Sequence, residues 1–92
     1  MSIRERLERK LTAALAPLRL TVTDESHRHA GHAGAHAEGE SHFSVEIVSA
    51  SFAGLSRVAR QRLVYGLLAE EMAERIHALS LSTLTPEEAG IT

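Results

Sequence analysis

Apolar positions recur along this chain with two different periods, and the changes of period divide it into segments. In "SIRERLERKLTAAL", Ile3, Leu7, Leu11 and Leu15 return every four residues and draw one apolar stripe along a helix. Ser2, followed three residues later by Glu5, forms a capping box, and Pro17 stops the helix. "LRLTVTD" then alternates, with Leu18, Leu20 and Val22 on one side and Arg19, Thr21 and Thr23 on the other, as in a half-buried strand. "HFSVEIVSASF" predicts a second strand, with Phe43, Val45 and Ile47 set against Ser44 and Glu46. "AGLS" turns the chain and offers Ser56 as a helix cap. "RVARQRLVYGLLAEEMAER" returns to helical spacing, pairing Leu63 with Leu67 and Val64 with Leu68 and Met72, and predicts the longest helix. "IHALSLSTL" predicts a third strand. "TPEE" places Thr85 as cap, Pro86 at the first helical position and Glu88 at the capping-box position of a short last helix.

The order is therefore α-β-β-α-β-α. Two successive strands can form an antiparallel hairpin, whereas a strand that returns after a long helix usually pairs in parallel. The expectation is an α+β layer, a small three-stranded mixed sheet with helices packed on one face. Ninety-two residues suffice for one domain, taken as 1–92. Its core must be aliphatic, because Phe43, Phe52 and Tyr65 are the only aromatic residues. A net charge of -2 argues against tight, charge-driven binding to nucleic acid. The chain has no cysteine, hence no disulfide and no thiolate metal site of its own. The charged N-terminus lacks an apolar signal core and no run reaches membrane-spanning length, so a cytoplasmic protein without a membrane role is expected.

Between the first two strands, "DESHRHAGHAGAHAEGESHF" holds five of the six histidines. Gly31, Gly34 and Gly39 break any regular element, so residues 27–39 read as an exposed, flexible loop. The spacings of His27, His29, His32 and His36 match no structural zinc signature. On residue pattern alone the tract is a solvated stretch that takes up Ni²⁺ or Zn²⁺ weakly. His77 shares strand parity with Leu79 and Leu81, a pattern more common for a hydrogen-bonded core histidine than for a ligand. No Ser-His-Asp arrangement, phosphate-binding glycine loop or apolar carboxylate pair is visible. Asp24, Glu25 and Ser26 beside His27 would need a preorganisation that a flexible loop does not supply. The expectation is a protein that is not an enzyme.

Three stretches together resemble the BolA-like proteins: "DESHRHAGH", "SHFSVEIVSASFAGLSRVARQRLVYGLLAEEM" and "IHALSLSTLTPEE", which cover most of the chain from Leu20 to Glu88. The resemblance implies a class II KH-like fold, in agreement with the element order above. It also implies a heterodimer with a monothiol glutaredoxin that shares a [2Fe-2S] cluster, with no cofactor in the isolated chain. The ligands it implies are a C-terminal histidine, matching His77, and a loop ligand best matching His29, with His27 and His32 as competitors. The glutaredoxin cysteine and glutathione would bring the thiolates. The chemistry is compatible, because imidazoles can replace two cysteines on one iron of such a cluster. One departure concerns Gln61, where the family usually reads Arg-His-Arg and this chain reads Arg-Gln-Arg. Glutamine keeps a neutral hydrogen bond, points inward or along the sheet edge on this pattern, and cannot titrate near neutrality.

Some BolA-like proteins are described as transcriptional regulators, so the alternative is a DNA-binding regulator of stress response and cell morphology. Its footprint would be Arg57, Arg60 and Arg62 at the start of the long helix, assisted by the helix dipole. Gly31-His-Ala-Gly34 matches a KH backbone-clamping loop only formally, because it lies between strands and lacks a basic residue. No aromatic pair offers a base-stacking platform.

Overall fold

The computed structural model describes residues 1–25 and 41–91. The elements are α1 (Ile3–Leu15), β1 (Arg19–Asp24), β2 (His42–Val48), a 3₁₀ turn (Ala50–Phe52), α2 (Arg57–Leu67), α3 (Ala69–Glu74) and β3 (Ala78–Leu84). The sheet runs β1-β2-β3, with β1 antiparallel to β2 and β2 parallel to β3. This is the mixed α+β sheet that the periodicities predict. The 27–39 loop, with His27, His29, His32 and His36, lies outside the described residues. No helix among the described residues is long and apolar enough to cross a membrane.

Alternation and register together give the sheet one apolar side. Val22 faces Val45 and Val45 faces Leu81, while Phe43 faces Leu79, so these side chains stand in rows on the same face. Against them pack Ile3, Leu7, Leu11 and Leu15 of α1, Phe52, Val64, Leu68 and Ile76. Leu7, Leu11, Ile47, Phe52, Val64 and Leu68 are completely buried. The opposite face carries Arg19, Thr21, Thr23, Ser44, Glu46, Ser80 and Ser82.

The helix ends obey local chemistry. The capping box at Ser2 and Glu5 forms, each side chain bonding the other's backbone N–H at 3.1 Å. At the other end, the Leu15 carbonyl accepts the buried Ser49 hydroxyl at 2.6 Å, which ties α1 to the end of β2. Ala16 follows with φ 42° and ψ 56°, the left-handed conformation that glycine usually supplies at this position.

A carboxylate buried at the helix interface joins α1 to α3. Glu71 is fully buried, with Arg6 at 2.7 Å and Lys10 at 3.0 Å, while Arg6 also reaches Glu74 and Lys10 reaches Glu70. Burial pushes the Glu71 carboxyl up. Lys10, the residue's own backbone N–H and Arg6 outweigh it, and the net position is below the ordinary carboxylate value.

Four local expectations change. The long helix is interrupted at Leu68, whose φ of -105° and ψ of 17° leave the helical region, although Leu68 and Met72 still bond across the break. The longest helix is therefore α1. The second strand ends at Val48, and Phe52 reaches the core from the 3₁₀ turn. Leu18 lies just outside β1 and is 62% exposed, so it leaves the predicted apolar face. The last helix is a single hydrogen-bonded turn. Its capping box is intact, Thr85 and Glu88 bonding reciprocally at 2.8 and 3.2 Å. A Schellman pattern closes it at once, with Ile91 N–H on the Pro86 carbonyl, Gly90 N–H on that of Glu87, and Gly90 at φ 73°.

Ala16 yields a stability test. Left-handed backbone costs an alanine about 1–2 kcal/mol, and glycine's greater unfolded-state freedom offsets about 0.4–1 kcal/mol of the relief. Ala16→Gly is expected to stabilise the protein by about 0.5–1 kcal/mol, read from the urea midpoint at unchanged slope. A lower midpoint would show that Ala16 is not held in this conformation.

Candidate functional site

One corner of the sheet gathers the described histidines. His42 opens β2 and pairs with Ala78, the first residue of β3, so His77 lies one residue ahead of the strand beside His42. The fully buried Ser41 organises the corner. Its carbonyl accepts the N–H of His77 at 2.7 Å and that of Ala78 at 3.2 Å. Its hydroxyl stands 2.9 Å from Nδ1 of His42. The two imidazoles are nearly parallel, with planes 19° apart and centroids separated by 6.1 Å. His77 is exposed and His42 half-buried.

The ends of the histidine-rich connection are fixed at the same corner. Asp24 faces Phe43 across the β1–β2 pair, and the Glu25 N–H bonds the His42 carbonyl at 2.7 Å. The chain therefore leaves β1 and re-enters β2 next to His77. Imidazole nitrogens suit iron, zinc and copper. Among the described residues no group of three or more histidine, aspartate or glutamate side chains could hold a metal ion. The donor set fits a cluster only in part: His77 offers an accessible imidazole, and thiolates must come from another molecule.

His77 is placed by the structure at the exposed lip of β3, while His29, His27 and His32 lie outside the described residues. Sequence reasoning missed Ser41 and His42. Only the "SH" before the Phe43 alternation hinted at them, and which strand ends lie side by side is a matter of register.

Comparison with known proteins decides the family. Residues 11–88 match the family model described as BolA-like protein. The chain is 49% identical over 88 residues to the DNA-binding transcriptional regulator BolA of Escherichia coli, covering 96% of this chain and 80% of that one. The chain belongs to the BolA-like family. A Sinorhizobium relative of uncharacterised function is 48% identical, with 96% of both chains covered. Among solved structures, the BolA domain of SufE1 from Arabidopsis thaliana superposes with a TM-score of 0.85 at 44% identity, covering 96% of each chain. Some BolA-like relatives are longer: this chain spans 54% of Arabidopsis BOLA1 and 24% of the Arabidopsis SufE-like protein 1.

Within this BolA-like fold the proposed arginine footprint is broken. Arg57 and Arg62 are exposed, but Arg60 is only 6% exposed. Its Nε donates to the Leu55 carbonyl and its Nη1 to the Thr83 carbonyl, both at 3.0 Å, and Nη1 also reaches Glu88 at 2.6 Å. Its guanidinium carbon lies 5.9 Å from the centre of the Phe52 ring. Arg60 is a fork that fastens the last turn to α2 and β3, because its i+4 relation to Val64 points it inward. Gln61, the next residue along the helix, is half-buried.

The Arg60–Glu88 pair makes a pH test. Hydrogen bonds from the Arg60 guanidinium and the Thr85 N–H lower the Glu88 carboxyl from 4.5 to about 2. A carboxyl depressed in the folded state stabilises above its unfolded value, and that stability is lost as pH falls through the folded value. Wild type is therefore expected to lose stability between pH 4.5 and about 2 more steeply than Glu88→Gln, with urea midpoints measured across that window. Equal slopes would show that the pair does not form. A residual slope in the variant belongs to Glu5 and Glu71, whose carboxyls are lowered in the same direction.

Proposed function

We propose that this BolA-like protein partners a monothiol glutaredoxin and shares a [2Fe-2S] cluster with it, in iron–sulfur cluster assembly, trafficking or iron regulation. The observation that carries this reading is the position of His77, exposed at a sheet corner with its backbone anchored on buried Ser41. A second ligand from the β1–β2 connection is within covalent reach. Four peptide units span at most about 14 Å, so His29 can approach the corner from Glu25, and His27 and His32 compete with it. The cysteine-free chain supplies imidazoles, and the glutaredoxin cysteine and glutathione supply thiolates. When bound, the cluster offers a one-electron centre and a transferable iron–sulfur unit. This chain's own residues orient and expose the imidazole; no reaction is assigned to them.

Anaerobic reconstitution with a monothiol glutaredoxin and glutathione, followed by visible absorption and size exclusion, tests the reading. Wild type is expected to form a coloured heterodimer. His77→Ala is expected to lose it while keeping its far-UV spectrum, since an exposed imidazole contributes little to stability. His29→Ala is expected to weaken it less, because His27 and His32 can substitute. A cluster that persists at wild-type yield in folded His77→Ala would remove His77 from the ligand set.

The name of the Escherichia coli relative favours a second reading as a DNA-binding regulator. With Arg60 engaged in the fold, the basic footprint reduces to Arg57 and Arg62. Weak duplex binding with little sequence preference is expected. The double variant Arg57→Ala, Arg62→Ala should lower the slope of log affinity against log salt by about 2, at roughly 0.9 for each phosphate no longer neutralised. A tight, specific complex unaffected by this variant would place any DNA site elsewhere.

A further inference from the structure

We infer that His42 is a positioning residue for His77: its ring, tethered through Nδ1 to the hydroxyl of Ser41, lies against the His77 ring and fixes the orientation in which that imidazole is presented. The role in metal binding rests on the cluster reading of His77, whereas the orientation itself does not.

His77 sits at a bend ahead of β3, with its side chain exposed. An exposed imidazole there has two side-chain torsions to immobilise when it takes a ligand, at an entropic cost. The neighbouring ring can meet that cost in advance. A centroid separation of 6.1 Å and an interplanar angle of 19° fall in the range in which aromatic rings pack with an offset. His42 is itself constrained, because its Nδ1 is 2.9 Å from the hydroxyl of Ser41, a residue with no exposed surface. The carbonyl of the same serine holds the His77 N–H at 2.7 Å. The His42 ring and the His77 backbone thus share one buried residue, and the parallel β2–β3 register fixes their backbones relative to each other.

The spacing is wider than that of two imidazoles set on one ion. Two imidazoles bound to one tetrahedral ion at about 2.0–2.1 Å would bring their ring centres to about 5 Å. The observed pair is wider, at 6.1 Å. Hydrogen-bonded neighbours that orient a ligating histidine are worth on the order of 10-fold to 100-fold in metal affinity, and a stacked ring stands at the lower end, up to about 10-fold. Here the neighbour acts with its ring face.

Three variants separate ring from nitrogen and tether: His42→Phe keeps a flat ring without nitrogen, His42→Ala removes both, and Ser41→Ala frees the ring. In the protein alone, NMR of the His77 ring protons should show a ring-current shift and restricted motion in wild type and His42→Phe. Both should be lost in His42→Ala and reduced in Ser41→Ala, at unchanged far-UV spectra. In the reconstituted heterodimer, His42→Ala should weaken the cluster by about 10-fold. His42→Phe should stay within a few-fold of wild type, as rescue by the flat ring requires. Cluster loss in His42→Phe as severe as in His42→Ala would make His42 a ligand and overturn the inference. So would His77 ring signals that do not respond to His42→Ala. If wild type forms no cluster with glutaredoxin, the proposed function fails, and the ring signals still decide whether His42 positions His77.

Discussion

The parallel pairing of β2 with β3 is the constraint on which the rest of the structure depends, because a parallel pair can be joined only by a crossover and can be held only in one register. The crossover is α2 with α3, and its apolar residues Val64 and Leu68 are buried against the sheet. A slip of one residue would turn Leu79 and Leu81 to the polar face and carry His77 away from the Ser41 carbonyl. Side chains guard the outer edge of β3 as well. Tyr65 donates its hydroxyl to the Leu79 carbonyl at 2.9 Å and Arg60 occupies that of Thr83, so two edge carbonyls are satisfied from α2. The Glu71 clamp on Arg6 and Lys10 then ties the end of the crossover to α1.

Functional consequence follows from the same register. Because β2 and β3 run in parallel, their N-terminal ends coincide, and residues just ahead of the two strands, Ser41 and His77, meet at one corner. Because β1 and β2 are antiparallel, the connection between them has its ends at that corner too. A fold of this topology brings the long β1–β2 connection and the start of β3 together whatever the sequence. This sequence puts histidines in both places and cysteine in neither, so the cluster proposed there would take its thiolates from another molecule.

Much of this was legible in the chain, and the failures have physical causes. Helical spacing of Ile3, Leu7, Leu11 and Leu15 and strand alternation at Phe43, Val45 and Ile47 mark faces buried by the fold, so period translated directly into burial. Parity misled at His77 and Leu18, because each lies just outside its strand and so escapes the alternation. The turn after Thr85 carried a correct start signal, but Gly90 supplied the stop so soon that one turn remained. Arg60 read as one of three basic residues of a nucleic-acid footprint; only tertiary structure reveals the carbonyls of Leu55 and Thr83 that draw it inward. His42 was hidden for the same reason, since its neighbour His77 is far along the chain and reaches it through strand pairing.

The central claim is that an imidazole of this chain, that of His77, ligates the shared cluster. Pulsed electron paramagnetic resonance on the reduced heterodimer, with ¹⁵N-histidine incorporated only into this chain, tests it most directly. The account requires ¹⁵N hyperfine coupling from directly bound imidazole, with the His77 contribution missing, and only that of a loop histidine left, in whatever cluster His77→Ala still forms. A reduced cluster on the wild-type complex with no coupling to this chain's labelled nitrogen would contradict it.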